Sequence, residues 1–155
     1  MVHELRHRDG IASLSFVAQQ TDGTVVGHII CSNAVIKKGE QILPVLNFGP
    51  LSVLPEYQRQ GVGKTLVRTM IEQAKKLGYG AILFFGRPEY YPQFGFGEAA
   101  LYGISDSEGY NYPAFMAMEL KEGYLNDIRG GKYFESDIYN DELNREKVWA
   151  FDRVF

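Results

Sequence analysis

Gln58, Arg59, Gln60, Gly61, Val62 and Gly63 run straight into an apolar periodicity that reads as a helix. A helix N-terminus presents unpaired N–H groups and partial positive charge. Glycines there let a ligand come close to the backbone, so the stretch has the chemistry of an anion cradle. Two kinds of phosphate loop are excluded by spacing. The triphosphate loop ends in Gly-Lys-Ser/Thr, as Gly63-Lys64-Thr65 does, but its first glycine falls on Gln58. The dinucleotide fingerprint needs a third glycine where this chain has Leu66, and it needs a purely parallel context. Other chemistries find little support. Cys31 is the single cysteine, so no intrachain disulfide framework exists. On an apolar strand, without a partner histidine, it reads as a small buried residue and not as a nucleophile. No Cys/His spacing suggests zinc, and no metal is expected.

The cradle must be positioned by what flanks it. Ser13–Gln20 alternates as a strand, Asp22-Gly23 fits a hairpin turn, and 25–36 returns as a second strand. A turn at Gly39 leads to a third strand over 41–53, completing an antiparallel meander. Gly49-Pro50 lies inside that third strand, and proline has no N–H to give a ladder. Pairing is expected to fail there, as a bulge or splay. The helix is predicted over 61–77, with Val62, Leu66, Val67, Met70, Ile71, Ala74 and Leu77 on one stripe and Gly78 as its stop. The apolar run Ala81–Phe85 reads as a strand covered on both faces, so that strand, loop, helix and strand make a right-handed βαβ unit. A turn with a short helix near 90–94 follows, then strands over 113–120 and within 130–140, and a terminal helix over 141–155 with Val148, Phe151 and Val154 inward.

The remaining pattern, Gln/Arg-x-x-Gly-x-Gly/Ala between strand and helix, resembles the acyl-CoA pyrophosphate loop of the GNAT superfamily of N-acetyltransferases. Gln58, Gly61 and Gly63 match it, and the preceding strand with Pro55 extends the match. "YYPQFGF" resembles the downstream motif of that superfamily, with Tyr91 four residues before Gly95 and Phe96 beside it. The resemblance runs from about Ser13 to Leu120, and with "GHI" and "AFDRVF" it is most similar to a subgroup of small predicted N-acetyltransferases. The implied fold class is mixed α/β (α+β): a mostly antiparallel central sheet with a βαβ acyl-CoA-binding unit, GNAT-like but lacking its first strand and helix. The chain is expected to be one acyl-CoA N-acyltransferase domain over 1–155 that starts inside the second helix, at "HELRH". The sheet edge so exposed is a pairing hazard, and a homodimer or another partner is expected there.

The resemblance also implies a mechanism. The co-substrate is acetyl-CoA, its pyrophosphate on the amides of Arg59, Gln60, Gly61, Val62, Gly63 and Lys64, with Gln58 at the start of the loop. The Arg59 and Lys64 side chains either add charge or stay solvated. The pantetheine arm lies along Leu51, Ser52 and Val53, pairing with the backbone of Leu51 and Val53, and a strand N–H near Val53 stabilises the oxyanion. A primary amine attacks the thioester directly, and Tyr91 protonates the departing thiolate. The base is open between His28, Glu119, Glu98 and a water chain, because the third strand offers only Asn47 and Ser52 where the family often carries a glutamate. Tyr110, Tyr112, Phe115, Tyr133, Phe134 and Tyr139 suit either an acceptor pocket or core packing.

Composition narrows the partners. The net charge is −3, without the basic stripe of a nucleic-acid binder. No run is apolar long enough to span a membrane, the N-terminus lacks a signal-peptide pattern, and a cytoplasmic protein is expected. The acceptor is a small-molecule or peptide amine. The alternative is a catalytically silent acyl-CoA-binding module, favoured by the absent third-strand glutamate and opposed by Tyr91.

Overall fold

The computed structural model describes residues 15–135. Among these residues seven strands and one α-helix lie in the order β1 (Phe16–Gln19), β2 (Val25–Lys38), β3 (Gln41–Val53), α1 (Val62–Lys76), β4 (Ala81–Phe85), β5 (Gly97–Glu98), β6 (Phe115–Glu119) and β7 (Lys132–Phe134). The hydrogen-bonded strand order is β1-β2-β3-β4-β6-β5, and β7 pairs with β2 off that path. β3 and β4 are parallel, joined through α1, while the pairs of β2 with β1 and β7 and of β6 with β4 and β5 are antiparallel. This is the mixed, mostly antiparallel sheet expected from the sequence. No helix among the described residues is long and apolar enough to cross a membrane.

Two compact units divide the described chain: residues 15–32 with 48–74, and residues 33–47 with 75–135. In the first, β1 pairs with β2 from Phe16↔Ile29 to Gln19↔Val25, with a bulge between Ala18 and Gln19. The hairpin closes as expected: Asp22 Oδ1 accepts the Thr24 N–H at 2.9 Å, and Gly23 takes the positive φ of 91°. α1 buries Leu66, Val67, Met70, Ile71 and Ala74, the helical spacing of a core-facing stripe. It seats on β2 at Gly27, where an added Cβ would stand 2.8 Å from Val62 Cγ1 and 3.1 Å from Leu66 Cδ1. Only the absence of a side chain there allows the first turn of α1 to lie so close to the strand.

In the second unit β4 is central, paired from Ala81↔Glu119 to Phe85↔Phe115 with β6 and at Leu46↔Ile82 with β3. Ile36, Val45, Leu83, Ile104, Phe115 and Tyr133 form the heart of its core. The Tyr124 ring lies over Gly80, and its hydroxyl donates to the Pro44 carbonyl at 2.7 Å.

Several expectations need correction. Leu77 lies past the end of α1 and is 46% exposed, because Gly78 at φ 87° turns the chain away after Lys76. β6 is shorter than 113–120, since the Phe115 N–H bonds to the Tyr112 carbonyl in a turn. The two-residue strand β5 carries no alternation long enough to be read from sequence. The last strand narrows to Lys132–Phe134 among the described residues and pairs with Val35–Lys37 of β2. "HELRH", Tyr139 and the terminal helix lie outside the described residues.

Candidate functional site

The cradle starts where β3 ends. The Leu54 N–H bonds to the Val26 carbonyl on β2 at 2.9 Å. Strand alternation then turns the backbone groups of Leu51 and Val53 toward the opposite edge of β3, with Ser52 facing β2. Glycine's conformational freedom is used just upstream, where Gly49 has φ 136° beside Pro50. The described register of β3 with β4 is Leu46↔Ile82, three residues before that glycine.

A 3₁₀ turn, Pro55–Tyr57, carries the chain from β3 to the loop. Side chains then brace the loop against its own backbone. Gln58 Nε2 donates to the Val53 carbonyl at 3.1 Å, and Gln60 Nε2 donates to the Glu56 carbonyl at 2.9 Å. Gln58 therefore ties the loop to the end of β3. Arg59 is the one non-glycine residue with positive φ among the described residues, at 64°, and Gly61 follows at 87°. A left-handed arginine costs about 1–3 kcal/mol, strain of the kind held at functional sites. The first helical bond runs from the Thr65 N–H to the Gly61 carbonyl at 3.0 Å. Val62, Gly63 and Lys64 are thus left with amides that have no partner inside the helix. A Cβ on Gly61 would meet nothing within 4 Å, so the loop faces open space. Beside it a cleft of about 350 Å³ runs between Phe16–Ala18 of β1 and Thr65 and Thr69 of α1, with Gln60 and Gly61 among its lining residues. Arg59 and Lys64 are exposed. The residue types fit a diphosphate: backbone donors at a helix N-terminus, glycine clearance and no carboxylate in the loop.

Tyr91 belongs to the second unit, where it opens the turn Tyr91–Phe94. Its ring meets Phe84 of β4 edge-on at 4.7 Å, Tyr90 at 5.0 Å and Phe96 at 6.1 Å. Burial pushes its phenol up to about 12, with Tyr90 adding to the shift and Arg87 opposing it. The hydroxyl therefore keeps its proton at neutral pH. Gly86 makes room for this ring: a Cβ there would lie 2.7 Å from Tyr91 Cε2 and 2.4 Å from Phe84 Cε2. Gly86→Ala should displace the Tyr91 ring and, on the role the sequence resemblance implies for Tyr91, lower turnover about tenfold or more. Steady-state kinetics with a melting curve checks it, and an unchanged kcat would show that the ring position is not critical.

The other candidates separate clearly. His28 is buried on β2, opposite Val17. Glu119 Oε2 accepts the Leu125 N–H at 2.8 Å, which gives it a structural task. Glu98 is exposed on β5. Cys31 is fully buried and burial pushes its thiol up, so it is no nucleophile. Asn47, on the third strand, donates through Nδ2 to the Tyr133 hydroxyl, which donates to the Leu83 carbonyl at 3.2 Å. Tyr133 and Phe115 are core residues, while Tyr110 and Tyr112 are exposed, so the aromatic set divides between packing and surface. Sequence reasoning missed Glu135, which lies in no motif. Its carboxyl is held above the usual carboxylate range by burial, although the residue as a whole remains exposed.

Comparison with known proteins gives the family. Residues 2–96 match the family model described as the acetyltransferase (GNAT) family. The uncharacterized N-acetyltransferase YhbS of Escherichia coli K12 is 32% identical over 130 residues, covering 84% of this chain and 76% of YhbS. The crystal structure of Escherichia coli YhbS in complex with CoA superposes with a TM-score of 0.77 at 27% identity, over 91% of this chain and 76% of that one. A GNAT family acetyltransferase from Brucella melitensis in complex with acetyl-CoA gives a TM-score of 0.53 at 30% identity, over 76% and 64% of the two chains. On the family match, the relatives and the shared fold, the chain belongs to the GNAT family, the acetyl-CoA-dependent N-acetyltransferases.

Proposed function

We propose that this chain, acting as one acyltransferase domain, moves an acetyl group from acetyl-CoA to a primary amine by direct attack. The observation that carries the reading is the braced loop at the N-terminus of α1, with Arg59 and Gly61 both at positive φ. The YhbS and Brucella melitensis structures, with CoA and acetyl-CoA respectively, support the choice of donor. Bound acetyl-CoA would supply an activated acyl carbon and a thiolate leaving group.

This chain's residues then have separate tasks. The amides of Arg59, Gln60, Gly61, Val62, Gly63 and Lys64 hold the pyrophosphate, where the helix dipole favours negative charge. Gln58 keeps the loop in shape through the Val53 carbonyl. Leu51 and Val53 offer backbone groups on the edge of β3 away from β2 to the pantetheine amides, with Ser52 between them and the Val53 carbonyl shared with Gln58. The Val53 N–H faces the charge that develops on the acyl oxygen. Tyr91 donates its proton toward the departing sulfur.

Thiol release from acetyl-CoA on addition of a panel of primary amines tests the reading. Release that needs both substrates supports it; no release with any amine opposes it and favours the silent acyl-CoA-binding module. The pH profile adds a sharper check. Because the phenol of Tyr91 is raised to about 12, its donor form persists up to that range and is lost only above it. No alkaline fall in kcat should therefore originate from Tyr91 below about pH 10. An alkaline limb near pH 9 that disappears in Tyr91→Phe would contradict this.

A further inference from the structure

Tyr133 brings a polar group into the core of the second unit. The residue is buried, with its ring 5.3 Å from that of Phe115. Its hydroxyl accepts from Asn47 Nδ2 and donates to the Leu83 carbonyl at 3.2 Å, so both capacities are used. Three strands meet at this oxygen, since Asn47 lies on β3, Leu83 on β4 and Tyr133 on β7.

The edge of β4 that this carbonyl faces follows from its neighbours. On the β6 side the Gly80 carbonyl accepts the Leu120 N–H at 2.8 Å, and the Gly86 N–H donates to the Ala114 carbonyl at 2.8 Å. Backbone groups alternate along a strand, so even-numbered residues here turn to β6, while Ala81, Leu83 and Phe85 turn to β3. With Leu46 opposite Ile82, the backbone groups of Leu46 lie between Ala81 and Leu83. The Leu83 carbonyl is therefore the first β4 acceptor beyond that pair on the β3 edge. In a ladder that continued, it would receive the next β3 amide. Here a hydroxyl from a third strand bonds to it. β3 also changes phase after this point. Leu46 turns its backbone groups to β4, and Leu51 and Val53, each an odd number of residues further on, turn theirs to the same edge away from β2. A regular strand cannot do both, and Gly49, at φ 136° beside Pro50, is where the slip is accommodated.

We propose that Tyr133 is a positioning residue for acetyl transfer: its hydroxyl, held by Asn47, ends the β3–β4 ladder at Leu46↔Ile82 and so reserves the rest of that β3 edge for the pantetheine arm. The inference rests on the acetyl-CoA reading above for naming the occupant of the edge. Gly49-Pro50 lets β3 change phase, and Tyr133 holds the acceptor at which the change begins. Phenylalanine at position 133 would fill the core as well, so the particular effect of tyrosine lies in the carbonyl that its hydroxyl occupies. The inference also gives Asn47, on the strand where a glutamate was expected, the task of orienting that hydroxyl.

The test compares Tyr133→Phe with Tyr124→Phe in the full chain. Tyr124 is the control because its hydroxyl also donates to a β3 carbonyl, that of Pro44 at 2.7 Å, but before the end of the ladder. Both variants should melt below the wild type. Only Tyr133→Phe should let the ladder advance: without ligand, the amide of Phe48, next after Leu46 on that edge, should exchange about tenfold more slowly relative to the other β3 amides. Calorimetric titration should then show acetyl-CoA binding weakened about tenfold or more in Tyr133→Phe and changed less than about twofold in Tyr124→Phe. Binding of 3′-phospho-ADP, which is CoA without its pantetheine arm, should stay within about twofold in both. Unchanged acetyl-CoA affinity in Tyr133→Phe, or an equal loss for the two ligands, overturns the inference. If Tyr133→Phe does not fold, Asn47→Ala carries the same comparison, with an expected loss of about threefold for acetyl-CoA alone, and no loss overturns the inference. Slower exchange at Phe48 beside a wild-type chain that binds no acetyl-CoA would keep Tyr133 as the end of the ladder and sink the acetyl-CoA reading on which its role rests.

Discussion

Tyr91→Phe is expected to lower kcat by about a hundredfold while leaving acetyl-CoA affinity within about twofold, as loss of a proton donor without loss of binding requires. The ring should stay in place, because its contacts with Phe84 and Phe96 are aromatic and do not use the hydroxyl. Magnitude follows from acidity. A phenol near 12 is a weak acid compared with an ordinary thiol at about 8.5, so transfer to a fully formed thiolate is uphill by about 5 kcal/mol. The larger share of its effect must come while the C–S bond is breaking, as a hydrogen bond to sulfur that is gaining charge. That places the loss near the lower end of the range for general acids, about 10²-fold. Tyr90→Phe is the control and should change kcat less than about twofold, since Tyr90 is expected to have no chemical task. Rapid-mix and steady-state kinetics with equal enzyme and thiol detection distinguish the two. Equal losses in both variants would remove the assignment of Tyr91.

Gly61→Asp should weaken acetyl-CoA binding by about thirtyfold or more, equivalent to ~2 kcal/mol. The substitution is chosen because it should spare the fold. Asp tolerates positive φ better than most residues, and a Cβ at Gly61 meets nothing within 4 Å. A carboxylate at the first turn of α1 also suits the helix dipole. It would take the place proposed for the pyrophosphate and repel what remains. Gly61→Ala separates the two effects: it imposes backbone strain of about 1–2 kcal/mol without a charge and should cost less affinity. Calorimetric titration of both variants, beside their melting curves, gives the comparison. An unchanged affinity in Gly61→Asp would place the anion elsewhere.

The sequence made the repetitive parts of this fold legible, and the reasons are physical. α1 shows its five buried residues at helical spacing, and Gly78 marks its end. β1 declares itself by alternation, and β2 and β3 by the turns at Asp22-Gly23 and Gly39 that bound them. The loop was readable because glycine at positive φ and a following helix leave few alternatives. β5, two residues long, could not be read, since a strand that short carries no period, and β7 was placed only within 130–140, where three residues form the strand. Side-chain tasks set by distant partners were equally hidden. Nothing local says that Glu119 holds the Leu125 amide or that Gly86 clears the Tyr91 ring. Gln58 shows the same limit from the other direction. It matches a loop pattern, yet the contact it makes is a hydrogen bond to the end of β3.

The central claim is that the loop from Gln58 to Lys64 holds the pyrophosphate of acetyl-CoA. Thermal-shift titration of the full chain with acetyl-CoA, CoA and ATP tests it most directly. Ligand at a hundred times its dissociation constant stabilises the folded state by about 2.7 kcal/mol. For a chain of this size that corresponds to a rise of roughly 5 °C or more. The account predicts such a rise with acetyl-CoA and CoA, saturating with concentration, and a much smaller one with ATP. A well-folded protein whose melting temperature does not move with acetyl-CoA at millimolar concentration would contradict it.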